Sequence, residues 1–301
     1  MNNVPFPQLQ AFLSVARHRS FSGAARDLGF SRSAVSQSVR QLEEQLRVVL
    51  LTRTTRSVAL TDAGRRLFES AGPAIGQVLS ALTEVGAAPG ETVGRLRITV
   101  PRAAVPFIIE PVVPAFRARH PRIDVEVSVE DRFIDIVAEG YDAGVRLTEA
   151  IERDMVQVRL TDPFRFVVVG SPGYLAKHGT PERPQDLLRH ECITFRSRTT
   201  GALYAWELER GRKSWRVPIR GGVVVENDVE LISSLAEKGV GLAYAFEPRV
   251  KERIRTGKLR RVLEAYAPTA PGFFIYFPSR AQRSAPLRLF VETAKELSVR
   301  T

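Results

Sequence analysis

The sequence predicts an α/β protein overall: an α-rich amino-terminal domain, a long helix, and a larger domain of alternating strands and helices. Three observations predict it. Residues 7–46 hold three short runs of helically spaced apolar residues, punctuated by Ser and Gly. Residues 61–85 carry one apolar seam at alternating spacings of three and four. Beyond residue 92, short apolar segments such as RLRITV, RFVVVG and PGFFIYF alternate with helical ones, as in a sheet covered on both faces.

Length and composition bound the rest. A chain of 301 residues corresponds to about two or three domains. A hydrophobic content of 44% supplies proper cores. The net charge of +11 favours a polyanionic partner, nucleic acid before membrane, although an arginine-rich solvated surface has the same charge. Cys192 is the one cysteine, which excludes an intrachain disulfide and fits a reducing compartment. The start, MNNVPFPQLQ, lacks the basic and apolar parts of a signal peptide. No apolar run approaches the ~18 residues of a membrane span. A cytoplasmic protein with no membrane partner is expected.

The first helix, Pro7 to Arg19, places Leu9, Phe12, Leu13 and Ala16 on one face, with Phe6 as an anchor before it. Ser20 or Ser22 caps the second helix, which runs through Ala24, Ala25 and Leu28 and stops at Gly29. Ser31 caps the third, with Val35, Val39, Leu42 and Leu46 as its buried stripe. Its open face carries Arg32, Ser33, Ser36, Gln37 and Arg40. Two short helices around a tight turn, the second polar outside, form the helix-turn-helix pattern of a helix set into the DNA major groove. Short side chains allow close approach. Gln matches an adenine edge, and Arg a guanine edge or a phosphate. Taken alone, an ordinary solvated helix face reads equally well.

The segment LLTRTTRSVALTDAG adds two short strands, Leu50–Leu51 and Val58 to Leu60, around a basic turn. Arg53, Thr54, Thr55 and Arg56 at its tip form a wing for the phosphate backbone or minor groove. Thr61 caps the long helix, and Asp62 in its first turn suits the helix dipole. Phe68, Ala71, Ile75, Val78, Leu82 and Val85 make its seam, whose partner is a second copy of the helix or the domain's own core. A dimer presents two reading heads to an inverted repeat on double-stranded DNA. Gly72-Pro73 interrupts the seam and is expected to bend the helix.

SFSGAARDLGFSRSAVSQSVRQLEEQL followed by RTTRSVALTDAG closely resembles the LysR-type transcriptional regulators. LRITVPRAAVPFIIEPVVPAFRARHP, DIVAEGYDAGVRL and GSPGYLAKHGTPERPQDLLRHECITFR resemble the same family's sensor domain, so the resemblance spans the chain. Arg47-Val48-Val49 departs from it, because the family usually has glycine after the recognition helix. The resemblance implies a winged helix-turn-helix at 1–60, a linker helix at 61–86, a hinge at 87–92 and a two-lobed, periplasmic-binding-protein-like effector domain at 93–301. Lobe one is 93–163 with 272–301 and lobe two 164–271, the chain crossing near Asp162 to Phe166 and Ala270 to Phe274. By position, Ser33, Ser36, Gln37 and Arg40 face the groove, with Arg53 and Arg56 in the wing. The resemblance also implies dimers of dimers. RNA polymerase is a further candidate partner.

In the larger domain the expected order is RLRITV, a helix through Phe116, DVEVSVE, a helix to Glu139, AGVRL, RFVVVG, ECITF, GGVVVE, a helix from Val229 to Lys238, GLAYAF and PGFFIYF. Ligands of open α/β sheets bind beyond the carboxyl ends of strands. Pro101, Arg102 and Ala103 follow the first strand. Arg132 and Phe133 follow the second, and Arg146 closes AGVRL. Phe195 and Arg196 end ECITF, and Asn227 and Asp228 follow GGVVVE. Four arginines near helix starts suit an anionic small-molecule effector. Pairing with local acids such as Asp131 or Asp142 is the alternative.

Catalytic and metal chemistry find little support. His190 and Cys192 lack an orienting third group and an oxyanion hole. His18, His120, His178 and His190 have no metal-ligand spacing. Gly239-Val240-Gly241 follows a helix rather than opening one. No cofactor is expected. The chain reads as an effector-responsive transcription regulator. A constitutive architectural DNA binder and an enzyme or carrier on the sensor fold are the alternatives.

Overall fold

The computed structural model describes residues 5–53, 58–85, 92–147, 155–226 and 228–298. Its contacts gather into two units. One holds residues 1–97, 120–126 and 134–142, the other residues 98–119, 127–133 and 143–301.

At the amino end, α1 (Phe6–His18), α2 (Phe21–Leu28) and α3 (Arg32–Leu46) precede β1 (Leu51–Arg53), β2 (Val58–Leu60) and α4 (Asp62–Val85). Local chemistry sets these boundaries. Of the two candidate serines, Ser20 caps α2, its Oγ accepting from Gly23 N–H at 3.2 Å. Gly29, at φ +68°, ends that helix in the left-handed region glycine tolerates. Ser31 Oγ accepts from Ala34 N–H at 3.1 Å to start α3, and Thr61 Oγ1 from Gly64 N–H at 3.0 Å to start α4. A non-glycine residue ends α3. Arg47 has φ 52°, and its N–H bonds back to the Glu43 and Glu44 carbonyls.

The three helices share one core, in which Phe12, Val15, Ala24 and Val39 are wholly buried. Two sequence expectations change here. Leu46, in the last turn of α3, is 45% exposed and leaves the stripe. Phe68 is 4% exposed and lies in the head's own core, with Ile75 packed against it. The first turns of α4 pack on α1, which removes Phe68 from any seam with a second chain. The helix also runs unbroken through Gly72-Pro73.

Beyond residue 92 come β3 (Gly94–Val100), α5 (Glu110–Arg119), β4 (Ile123–Val129), β5 (Ala143–Leu147), β6 (Met155–Arg159) and β7 (Phe164–Gly170). Next are α6 (Pro172–His178), β8 (Thr194–Arg196), β9 (Trp206–Arg210), β10 (Lys213–Val217), β11 (Val224–Glu226) and α7 (Val229–Glu237). The chain ends with β12 (Ala243–Phe246), α8 (Glu247–Arg255), β13 (Arg260–Val262), β14 (Thr269–Ala270), β15 (Phe273–Pro278) and α9 (Ala285–Ser298). One sheet has the order β4-β3-β5-β15-β6. A second has β12-β7-β13, with β14 also on β7. The chain passes from the first sheet to the second between Arg159 and Phe164, and returns between Ala270 and Phe273.

The composition of β7 follows from its place. Val167 and Val169 enter a core with Ile232 and Ala236 of α7 and Val250 of α8. Val168 enters another with Leu175 of α6 and with Trp206 and Leu208 of β9. Burial on both faces produces an unbroken apolar run instead of alternation.

The helix expected to end at Glu139 is absent. Residues 136–140 form a turn closed by Glu139 N–H to Asp135 O at 3.0 Å and Tyr141 N–H to Ile136 O at 2.8 Å. Asp135 Oδ1 takes the Val137 and Ala138 N–H groups, and Gly140 turns away at φ +71°. Capped at both ends, one turn has no room to propagate. The stretch before α5 is also irregular. A 3₁₀ turn (Arg102–Ala104) and a π turn (Val105–Ile109) precede it, and Pro106, Pro111 and Pro114 each withhold a backbone donor.

The strained cap of α3 yields a test. A side chain in the left-handed region costs on the order of 1 kcal/mol, which glycine avoids. Arg47→Gly is expected to stabilise the head by roughly 0.5–1 kcal/mol. Its denaturant midpoint should rise with an unchanged slope.

Candidate nucleic-acid interface and effector site

On α3 the stripe Val35–Val39–Leu42 faces inward, so the opposite face is forced out. Arg32, Ser33, Gln37 and Arg40 are exposed and Ser36 half-buried. Spacings of four and three put Ser33, Gln37 and Arg40 on successive turns of one face. Ser31 is committed to the cap, and its hydroxyl shares a 3.0 Å hydrogen bond with Ser33 Oγ. Glu43, on the same helix, holds the start of the wing. Its Oε1 accepts from Leu50 N–H at 2.8 Å and Leu51 N–H at 3.1 Å. β1 and β2 then pair antiparallel, Arg53 opposite Val58. Thr54, Thr55 and Arg56 lie outside the described residues. Of the seam on α4, Ala71 is half-buried and Val78 46% exposed. The side chains of Leu82 and Val85 lie outside the described set.

In the α/β region, the residues after β3 and β4 and at the end of β5 come together. Arg102 N–H donates to Asp131 Oδ1 at 2.8 Å. Arg146 is 4% exposed, and its two Nη groups donate to backbone carbonyls. Nη1 donates to Val145 O at 2.7 Å, and Nη2 to Glu130 O and Arg132 O, each at 2.9 Å. Burial lowers its pKa from the usual value. Arg132 pairs with Glu130 at 2.8 Å, and that hydrogen bond holds the Glu130 carboxyl below its ordinary range. Arg196 pairs with Glu226 at 3.1 Å and donates to Gly201 O at 2.8 Å.

Of the four arginines expected to suit an anion, three have protein partners in this structure. Arg132 and Arg196 are paired with acids, and Arg146 is a buried clamp. Among the described residues, no carboxylate lies within ion-pair distance of the Arg102 guanidinium. Pro101 is half-buried and Ala103 buried. Asp228 is the cap of α7, accepting from Glu230 and Leu231 N–H groups at 3.0 and 3.1 Å, and Asn227 lies outside the described residues. Phe133 is 57% exposed, and Phe195 packs on the core beneath β7. Phe133 N–H donates to Thr199 Oγ1 at 3.1 Å, which links the two clusters.

Residues 6–65 match the family model for the bacterial regulatory helix-turn-helix protein, lysR family, and residues 89–298 match the LysR substrate binding domain. The chain belongs to the LysR-type transcriptional regulators. The uncharacterized HTH-type transcriptional regulator YcaN of Escherichia coli K12 is 37% identical, over 94% of this chain and 92% of that protein. The HTH-type transcriptional regulator PgrR of the same strain is 36% identical, over 98% of each. The structure of CrgA, a LysR-type regulator from Neisseria meningitidis, superposes with a TM-score of 0.59 at 30% identity, over 99% of both chains. As a LysR-type protein, this chain is an effector-responsive, DNA-binding transcription regulator and not an enzyme.

Two residues that shape the regulator's surfaces escaped the sequence reading. Glu43 looked like one of many helix acids, and only its contact with the next strand marks it. Thr199 sits in a polar turn that nothing singled out. No helix among the described residues is long and apolar enough to cross a membrane.

His190 Nδ1 stands 3.3 Å from Tyr174 Oη, while Cys192 Sγ contacts Leu187 O at 3.6 Å. Cys192 is 2% exposed, and burial pushes its thiol up to about 12. Only the thiolate reacts, so the native thiol should resist a disulfide reagent at pH 8. One equivalent should react after unfolding in guanidinium. Rapid labelling of native protein would contradict this burial.

Proposed function

We propose that α3 reads base edges in the major groove, with Gln37 and Arg40 as the sequence-reading side chains. Ser33 and Ser36 permit close approach, and Arg32, Arg53, Thr54 and Arg56 meet phosphates or the minor groove. The observation that carries this reading is the outward polar face of α3, held by the α1 core and by Glu43. Two heads, joined through Ala71, Ile75, Val78, Leu82 and Val85 of α4, engage an inverted repeat, and two such dimers associate. The protein works in the cytoplasm, with RNA polymerase as a further partner.

The effector is a small molecule with an anionic group, received by Arg102 between Phe133 and the turn after Arg196. Support comes from the gathering of residues 101–103, 130–133 and 199, and from the Arg102 guanidinium, which has no carboxylate within ion-pair distance among the described residues although Asp131 accepts from its backbone N–H. Asn227 and Asp228, at the start of α7, are retained as effector-contact candidates in this reading. Domain limits at about residues 60 and 92, and a lobe division near 163 and 271, belong to the same proposal. The testing experiment is selection of genomic fragments by the purified protein, followed by footprinting. Enrichment of one inverted repeat supports the reading, and recovery of random fragments alone defeats it.

Gln37→Ala and Arg40→Ala are expected to weaken the selected site by about 1–3 kcal/mol each and random duplex much less. Competition binding checks this, and equal losses on both DNAs would remove the base-reading role. Arg53→Ala should weaken all duplexes alike and lower the slope of log affinity against log salt by about one.

A further inference from the structure

An open depression of about 570 Å³ runs along α6, away from every residue proposed for the effector cleft. That volume is within the range of small-molecule sites. Its walls include Ser171, Lys177, His178, Glu237, Lys238 and Lys258. The choice of cation is unusual for this chain, which has 38 arginines and six lysines. Three of the six lysines line this one cavity.

The charges at the cavity do not cancel. Among the described residues Glu237 is the one carboxylate in the wall, and both its oxygens are occupied. Oε1 takes Lys258 Nζ at 3.0 Å, and Oε2 takes Arg253 Nε at 3.0 Å. Those hydrogen bonds, from Lys258 first, hold its carboxyl below the usual range. Among the described residues no carboxylate lies within ion-pair distance of Lys177 or Lys238. Two uncompensated ammonium groups therefore face one concavity, beside a third that is already paired. His178 adds a ring stacked 4.5 Å from Tyr174. Gly239, at φ +80°, makes the turn after Lys238, and a side chain there would begin 3.4 Å from Ser171 Oγ. The Ser171 hydroxyl itself is buried and caps α6, accepting from Tyr174 N–H at 3.2 Å.

Lysine and arginine select different anions. A guanidinium fork matches the planar carboxylate, whereas an ammonium is a compact point charge that meets a phosphate oxygen from any side. We propose that this cavity is a second small-molecule site that takes a phosphate-bearing anion, with Lys177 and Lys238 as its principal ligands.

Inorganic pyrophosphate is the probe, titrated calorimetrically into the full chain at fixed ionic strength, with citrate as a carboxylate comparison. One saturable pyrophosphate site per chain is expected, with citrate at least tenfold weaker. Lys177→Ala/Lys238→Ala should weaken pyrophosphate tenfold or more, since each removes a hydrogen bond to a charged group. Both lysines are exposed, so the thermal melt should not move. Lys213→Ala/Lys251→Ala removes the same charge elsewhere and should change nothing. Unchanged binding in the first variant, equal loss in the second, or equal affinity for citrate overturns the proposal. Loss of duplex affinity in the first variant, with pyrophosphate unaffected, assigns these lysines to DNA and overturns it as well. Failure to select an inverted repeat defeats the DNA-reading proposal without touching this one.

Discussion

What the head presents to a duplex depends on how α3 is held. A helix that reads bases must keep its side chains within a fraction of an ångström and a few degrees of their partners. Two restraints achieve this. Val35, Val39 and Leu42 are buried in the core with Phe12 and Val15, which fixes the rotation of α3 about its axis. Glu43 Oε1 then receives two successive N–H groups from the strand that follows, which ties the wing to the same helix. Hydrogen bonds to a carboxylate are stronger than neutral ones, so this tie is stiffer than a backbone turn alone. The outward face of α3 and the start of β1 are thereby tied to one another.

The α/β region uses charge differently. Arg146 is a cation taken out of water, and it persists because three carbonyl oxygens receive its Nη protons. Its Nε finds no partner among the described residues. Breaking such an arrangement costs more than making it gains, since the carbonyls of Glu130 and Arg132 would be left without their donor. The loop 130–133 is thus pinned from within by Arg146 and from the side by the Asp131–Arg102 contact. A ligand arriving there meets walls that are already organised, and it loses less entropy in ordering them.

Local signals in the sequence were legible, and tertiary ones were not. Ser20, Gly29, Ser31 and Thr61 act within four residues of themselves, so a linear reading finds their helix ends. The two-sided burial of β7 shows in the unbroken run VVVG. The β9–β10 hairpin was overlooked although Gly211, at φ +61°, turns WELERGRKSWRV with Trp206 and Leu208 facing one core. That alternation was available. The fate of Phe68 was not, because a seam at spacings of three and four looks the same whether its partner is α1 or another chain. The arginines proposed for the effector show the same limit. Arg102, Arg132, Arg146 and Arg196 are alike as letters, and only the neighbours that folding supplies separate a clamp and two ion pairs from the one whose guanidinium has no ion pair among the described residues.

That separation constrains how an effector could act in the proposed cleft. Phe133 N–H to Thr199 Oγ1 links the loop after β4, a strand of one sheet, to the turn after β8, which pairs with β11 and not with that sheet. A single neutral hydrogen bond contributes only about 1 kcal/mol net, roughly a fivefold bias between linked and unlinked arrangements. The flanking elements are far stiffer. Arg146 braces one side, and Arg196 with Glu226 and Gly201 braces the other. A weak link between two rigid tips is where a ligand's preference has most effect, because it shifts an equilibrium only by its differential affinity. A tenfold preference for either arrangement, about 1.4 kcal/mol, exceeds what the Thr199 bond contributes. An effector therefore need not distort either sheet. It could act by favouring or opposing the Phe133–Thr199 hydrogen bond.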